Sequence, residues 1–420
     1  MIQLIKGFKD ILPEDMKTWR NIEEKAISLF DRFGYKEIRL PIMEKSELFK
    51  RSIGEHTDIV EKEMYTFPDR KGDLLTLRPE ATASLVRSYI QHKMYATEPV
   101  RKFYTIGPMF RRERPQKGRY RQFYQIDAEI FGMESAYADV ELIHILVTLF
   151  SELNLTELVV HLNSLGCPHC RPAYKEKLIT YLTDVKENLC EDCTRRLDKN
   201  PLRVLDCKVP KCQESLQGFP VIIDSLCEAC NNHFMILKKS LDHLHIEYEI
   251  DNRLVRGLDY YTRTIFEIQT SALGAQSAVV GGGRYDGLIK LLGGPDIPAT
   301  GFAIGFDRLA EIVSELNAPK EESIDVFIAP LGEESDFLAF NLSLELCYKG
   351  IQTEADTSGK SLKSLMKRAN KLNAAYTLMI GEEELKNNLV ILRNMETKEQ
   401  MEFPIVKDLA DMIIKEIRQS

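Results

Sequence analysis

Apolar residues recur at helical spacing from residue 14 to 34, where Trp19, Ile22, Ile27, Leu29 and Phe30 supply one face of an amphipathic helix. From residue 35 the period shortens. A strand over 35–39 runs up to Pro41, and short strand patterns follow at 64–67, 74–77, 101–106 and 122–131. Short turns join several of them, which favours an antiparallel sheet. Helical patterns at 80–95 and 136–153 interrupt the strands, the first just after Pro79, where proline suits a helix start. Strand patterns return at 247–250, 260–269 and 277–280. Gly281-Gly282-Gly283 is then expected to open a helix over 284–292. A second glycine-bearing strand, 301–306, leads into a helix that carries Asp307 and Arg308.

Beyond a linker-like stretch at 317–322 the pattern alternates: strand 325–329, helix 334–349, strand 352–355, helix 361–373, strand 376–380 and strand 389–393. Alternation of this kind predicts a separate α/β domain. A chain of 420 residues exceeds one ordinary core, so several domains are expected. The predicted fold class is α+β. Residues 1–165 and 233–322 form one core, 166–232 a cysteine-rich insertion, and 323–420 the C-terminal domain.

Composition narrows the class. Hydrophobic residues at 44% and charged residues at 29% are a soluble globular mix. A net charge of −8 gives no general attraction for a polyanion, so any nucleic-acid contact must come from local basic patches. No apolar run reaches membrane-spanning length, and the first residues lack a signal-peptide core. No membrane partner and a cytoplasmic location are therefore expected.

In that compartment cysteines are reduced thiols or metal ligands. Eight of the nine fall in four close pairs: Cys167-x2-Cys170, Cys190-x2-Cys193, Cys207-x4-Cys212 and Cys227-x2-Cys230. Such spacing predicts structural Zn²⁺, as two four-cysteine sites or one, with His169 able to replace a thiol. Four thiolates would close the coordination shell, which excludes a catalytic ion. The alternatives are reduced core thiols and a redox switch. Cys347 stands alone and is expected in the core of its helix.

Two arginine-bearing segments carry the candidate chemistry. Arg111 ends a strand with Glu113 on the same face by the period of two, and Arg308 opens a helix behind a glycine-bearing strand. A guanidinium fork can grip a phosphate bidentately. Taken singly, these charges would equally suit a surface ion-pair network.

Taken together, the segments resemble the class II aminoacyl-tRNA synthetases, and among them the histidine-specific family, along essentially the whole chain. Ile38-Arg39-Leu40-Pro41 resembles motif 1, Phe110-Arg111-Arg112-Glu113 through Phe123 motif 2, and Gly301 through Arg308 motif 3. Leu254-Val255-Arg256-Gly257-Leu258-Asp259-Tyr260-Tyr261 and Gly281-Gly282-Gly283-Arg284-Tyr285-Asp286-Gly287-Leu288 resemble stretches peculiar to the histidine enzymes. Leu77-Arg78-Pro79-Glu80-Ala81-Thr82 resembles their substrate loop.

The resemblance implies a six- or seven-stranded antiparallel sheet flanked by helices, a C-terminal anticodon-binding domain and a homodimer joined through motif 1. It implies activation of L-histidine by ATP and Mg²⁺ to histidyl-adenylate and pyrophosphate, then transfer to the 3′ end of histidine tRNA. Glu80 and Thr82 would receive the α-amino group, Gln125 and Glu129 the amino group and imidazole, and Tyr260, Tyr261 and Tyr285 would line the imidazole pocket. Arg111 and Arg308 would hold ATP phosphates, Arg256 the α-phosphate, and Glu113 adenine or magnesium. Arg111, Arg256 and Arg308 would be the catalytic cations. Arg114 and Gln116 in the basic motif 2 loop would meet the tRNA acceptor end, and Lys360, Lys363, Lys367, Arg368 and Lys371 the anticodon side.

Two departures stand out. Asp307 occupies a place where the family more often has glutamate, and Arg112 beside Arg111 leaves the register of the phosphate arginine open. A non-catalytic paralogue that regulates histidine biosynthesis is the main alternative, but it lacks the C-terminal domain and degrades the motif arginines. A zinc-dependent RNA-binding module would leave the pocket residues without a use.

Overall fold

The computed structural model describes residues 2–114, 118–270, 278–316 and 323–419. They divide into two compact units on either side of residue 317. The linker-like stretch 317–322 lies outside the described residues.

The first unit is built on an eight-stranded sheet. Its six central strands run Arg101–Phe110, Gln122–Phe131, Ala299–Gly305, Ala278–Arg284, Thr262–Thr270 and Leu158–Ser164, each antiparallel to the next. The expected antiparallel sheet is therefore its centre. The two edges differ: Lys36–Glu37 and Tyr248–Ile250 pair in parallel with their neighbours. Helices Pro13–Arg32, Tyr137–Glu152, Glu228–His243 and Phe306–Leu316 bury one face, where Trp19, Phe30, Leu146, Phe234 and Phe306 meet Ile126, Ala128 and Ile130 of the sheet. Alternation sends Gln125, Asp127 and Glu129 to the opposite face. A small antiparallel sheet of Met43–Lys45, Leu74–Leu77 and Tyr65–Pro68 lies in the same unit.

The glycine triplet does not open a helix. Gly281, Gly282 and Gly283 lie inside the strand Ala278–Arg284, and only Leu288–Leu291 is helical beyond it. The triplet suggests a helix start because glycine usually marks an element boundary; here it lets side chains cross the sheet surface. A Cβ at Gly281 would overlap the Arg256 guanidinium.

The segment between Ser164 and Tyr248 is short helices, among them Arg171–Asp184, Glu191–Lys199 and Pro210–Ser215. Its Leu178, Leu182, Leu197 and Val204 share one hydrophobic cluster with Tyr260, Tyr261 and Tyr285. The insertion is thus packed into the first unit rather than appended to it.

The second unit is a five-stranded sheet in the order Thr353–Ala355, Val326–Pro330, Tyr376–Ile380, Leu389–Asn394 and Gln400–Pro404, parallel over the first three and antiparallel beyond. The alternation was readable. Helices Glu382–Lys386 and Leu409–Gln419 and the strand Gln400–Pro404 add to it. Cys347 is exposed, not core: helix Glu333–Tyr348 buries Ser335, Ala339, Leu342 and Leu346, and Cys347 points a further residue's turn away from that stripe. Among the described residues no helix is long and apolar enough to cross a membrane.

Candidate active site

Two cavities open on the sheet face that carries Gln125, Asp127 and Glu129. The smaller, about 50 Å³, has Glu80, Thr82, Asp127, Glu129, Tyr260, Tyr261 and Tyr285 among its lining. The larger, about 260 Å³, is lined by Arg111, Glu113, Arg119, Glu267, Asp307 and Arg308 among others. They share Arg111, Gln125, Arg256, Gly281 and Ala303. Every residue expected for histidine or ATP therefore comes to one of two adjoining spaces.

The smaller cavity is a closed hydrogen-bonding box. Thr82 Oγ1 donates to Glu129 Oε1 at 2.7 Å, and Tyr285 Oη donates to Glu129 Oε2 at 2.5 Å. The Tyr260 ring stands edge-on to Tyr285, with centroids 5.6 Å apart. Glu80 Oε1 accepts from the Ala83 N–H at 3.0 Å, which satisfies one first-turn donor of helix Thr82–Gln91. Glu80 Oε2, Gln125 Oε1 and Asp127 Oδ2 are buried without a hydrogen-bond partner. Burial pushes the Glu129 carboxyl up to about 8, against the pull of its Tyr285 and Thr82 donors. Burial, then the neighbouring Glu129 and Glu80, lift Asp127 well above the carboxylate range. Burial raises Glu80 too, opposed by the Ala83 N–H. Three crowded carboxyl groups, with unused acceptors on Glu80, Asp127 and the Gln125 amide, suit a small ligand that brings N–H donors and positive charge.

This box needs the glycine strand behind it. Glu129 lies opposite Gly301 in the sheet, where a Cβ would overlap its carboxylate.

The larger cavity is a cationic trough. Arg111 leaves the end of its strand with Nε donating to Pro79 O at 2.9 Å and its guanidinium over the Phe123 ring at 5.2 Å. Glu113 lies 3.7 Å from Arg111 and 3.4 Å from Arg119. Arg112, by contrast, lies over the Tyr65 ring at 5.7 Å and lines neither cavity. Arg256 reaches across Gly281 and pairs with Glu267 at 2.7 Å. Arg308 donates to Ala278 O, and burial, then the nearby Arg119, lower its pKa. Asp307, also in the trough's lining, accepts from the Tyr124 N–H at 2.6 Å and pairs with Lys9 at 3.2 Å. Its short arm thus ties the helix start to the motif 2 hairpin.

Sequence reasoning missed Asp127 and Glu267. Asp127 continues the two-residue period of Gln125 and Glu129 and was findable. Glu267 had no local signal, because its partner Arg256 is fixed by packing across strands. Arg114 is exposed and lines neither cavity, and Gln116 lies outside the described residues. In the second unit Lys363, Lys367 and Lys371 are exposed, but Arg368 is held by Glu354 and by Asp356 at 2.5 Å, and Lys360 by Asp356 at 3.4 Å.

The eight paired cysteines form two groups, Cys167, Cys170, Cys227 and Cys230, and Cys190, Cys193, Cys207 and Cys212. Sulfur separations are 3.8 Å for Cys167–Cys170, 3.7 Å for Cys167–Cys227, 3.9 Å for Cys170–Cys230 and 3.9 Å for Cys190–Cys207. Four thiolates about 2.3 Å from one zinc would stand about 3.8 Å apart along the tetrahedron's edges. Burial raises Cys167, but the Cys170 and His169 N–H groups and the facing thiols bring it down to about 6. Burial and the neighbouring sulfurs push Cys193 and Cys230 up, so four thiolates need a cation among them. His169 is exposed and belongs to neither group.

The chain matches the family model for histidyl-tRNA synthetase over residues 7–169 and 209–309, and that for the anticodon-binding domain over 325–416. It is 58% identical over 416 residues to a histidine–tRNA ligase of Desulforapulum autotrophicum, covering 99% of this chain and 98% of that one. A histidine–tRNA ligase of Desulfatibacillum aliphaticivorans is 57% identical over 419 residues, covering both in full. Among solved structures, the apo histidyl-tRNA synthetase of S. aureus superposes with a TM-score of 0.82 at 37% identity, covering 98% of this chain and 99% of that one.

Proposed function

The chain belongs to the histidyl-tRNA synthetases, and from that premise we propose how its residues divide the labour of a histidine–tRNA ligase. The observation that carries the reading is the shared wall of the two cavities, Arg111, Gln125, Arg256, Gly281 and Ala303. Activation joins two anions, a carboxylate and the α-phosphate of ATP, and needs position and positive charge more than a base. Arg256 and Arg111 stand where the two spaces meet, so they face both reactants.

In the smaller cavity Glu80 and Thr82 receive the α-amino group through the unused Glu80 oxygen, with Gln125 beside them. Glu129, steadied by Tyr285 and Thr82, takes the imidazole between Tyr260, Tyr261 and Tyr285. An analogue without ring nitrogens would leave these buried groups unpaired, which gives steep discrimination. In the larger cavity Arg111 and Arg308 hold the phosphates. Glu113 contacts adenine or helps hold Mg²⁺, which accepts one or two carboxylates beside phosphate oxygens and supplies further charge neutralisation. The histidyl group then passes to the 3′ end of histidine tRNA, with Arg114 and Gln116 at the acceptor end and Lys363, Lys367 and Lys371 as the exposed cations on the anticodon side. The eight cysteines hold structural Zn²⁺.

A homodimer is supported by exposed Ile42, Met43, Phe67 and Leu74 around the small sheet that follows motif 1. A soluble, cytoplasmic protein fits this reading.

ATP–pyrophosphate exchange with each of the twenty amino acids tests it. Exchange with histidine alone is expected; exchange with none, from folded enzyme, would sink the assignment of the two cavities.

A further inference from the structure

We infer that the insertion holds two zinc ions in nested sites and that these centres fix the wall of the histidine pocket from behind. This rests on the zinc reading above and extends it. The first and fourth cysteine pairs close around the second and third: Cys167, Cys170, Cys227 and Cys230 outside, Cys190, Cys193, Cys207 and Cys212 inside. Cys170, Cys190 and Cys227 each stand immediately before a helix, at the N-termini of Arg171–Asp184, Glu191–Lys199 and Glu228–His243. A metal there sets the starting point and direction of three helices at once. It also supplies folding energy to the segment.

Each centre has a neighbour that grips the pocket wall. From the outer one, Arg171, next to Cys170, donates Nη2 to Tyr261 O at 2.6 Å and to Gly166 O at 3.2 Å, and Nε to Leu165 O at 2.8 Å. A guanidinium fork can span three carbonyls that an ammonium cannot. One helical turn past Cys230, His233 Nε2 lies 2.7 Å from Asp139, which pairs at 3.2 Å with the buried Arg284 beside Tyr285. From the inner centre, the helix after Cys190 ends at Asn200, whose Nδ2 donates to Asp259 Oδ1 at 2.7 Å, beside Tyr260. Cys193, Cys207 and Cys212 lie in the same hydrophobic cluster as Tyr260, Tyr261 and Tyr285.

A cavity of about 190 Å³ lies beside these polar links, with Arg171, Asn200 and Arg203 of the insertion and Val255, Asp259 and Tyr261 of the pocket segment among its lining. Arg171 and Asn200 are positioning residues that act through Tyr261 and Asp259.

Replacing a cysteine risks losing the fold, so the test uses Arg171→Ala and Asn200→Ala in the full-length enzyme, which keep all eight thiols. Zinc per chain is measured by elemental analysis, and histidine and ATP KM by pyrophosphate exchange. Two zinc ions per chain are expected in wild type and both variants, with histidine KM raised about tenfold in each, the scale of losing the one hydrogen bond that each makes to the pocket segment. ATP KM and kcat at saturating histidine should stay within about twofold. Two zincs with unchanged histidine KM in both variants would overturn the latch. Fewer than two zincs in active wild-type enzyme would overturn the paired centres and leave the synthetase reading standing. Wild type that activates no amino acid would overturn that reading instead.

Discussion

Beyond their shared wall, the two cavities are built from opposite materials. The smaller gathers three buried carboxyl groups and three tyrosines, with Glu129 held by Tyr285 and Thr82. The larger adds Arg119 and Arg308 to the shared Arg111 and Arg256, against Glu113, Glu267 and Asp307. Depth explains the difference. A buried polar box that leaves Glu80 Oε2, Gln125 Oε1 and Asp127 Oδ2 unpaired selects a ligand that completes its hydrogen bonds. A wider trough can keep cations half-paired, because a polyphosphate brings enough charge to displace weak partners such as the Arg111–Glu113 contact at 3.7 Å.

Mutations can break this contrast. Arg256 serves both spaces, so Arg256→Ala should have the largest effect, lowering the exchange rate by on the order of 10²–10³, about 3–4 kcal/mol of transition-state stabilisation. Arg112→Ala, outside both cavities, should stay within about twofold. Equal losses in the two would erase the assignment of the phosphate arginine.

Gly301→Ala comes next. Its Cβ would displace the Glu129 carboxylate and meet Ala128 O at 2.7 Å. Overpacking of about 1–3 kcal/mol is expected, felt as a rise of roughly tenfold to a hundredfold in histidine KM with a smaller change in ATP KM. An equal rise in both would mean that the cavities are not separately built.

The smallest effect is one of pH. Because burial holds the Glu129 carboxyl up at about 8, the proton stays on at neutral pH in the free enzyme and leaves as pH rises through that value. The ionised form accepts the ligand's N–H donors. The kcat/KM for histidine should therefore rise severalfold between about pH 6.5 and 8.5 and then level. Glu129→Gln should flatten the profile; a step that survives in that variant belongs to another group.

Much of this was legible in the chain. The two-residue period of Gln125 and Glu129 put them on one sheet face, and the fixed spacing of the motif segments identified the family. Two readings failed for one reason. The glycine triplet was expected to open a helix, and Cys347 to lie in the core. Each depended on what lay across from it in space: Arg256 over Gly281, and open solvent beside Cys347.

The sequence by itself determined the periods, the order of the motifs and the types of side chain available, because these are local properties of a chain. Only the tertiary structure decided which groups meet. It set Glu129 against Gly301 and Arg256 against Glu267. It also sorted eight equivalent thiols into two fours, through strand register and packing between segments far apart in the chain, which no local pattern encodes.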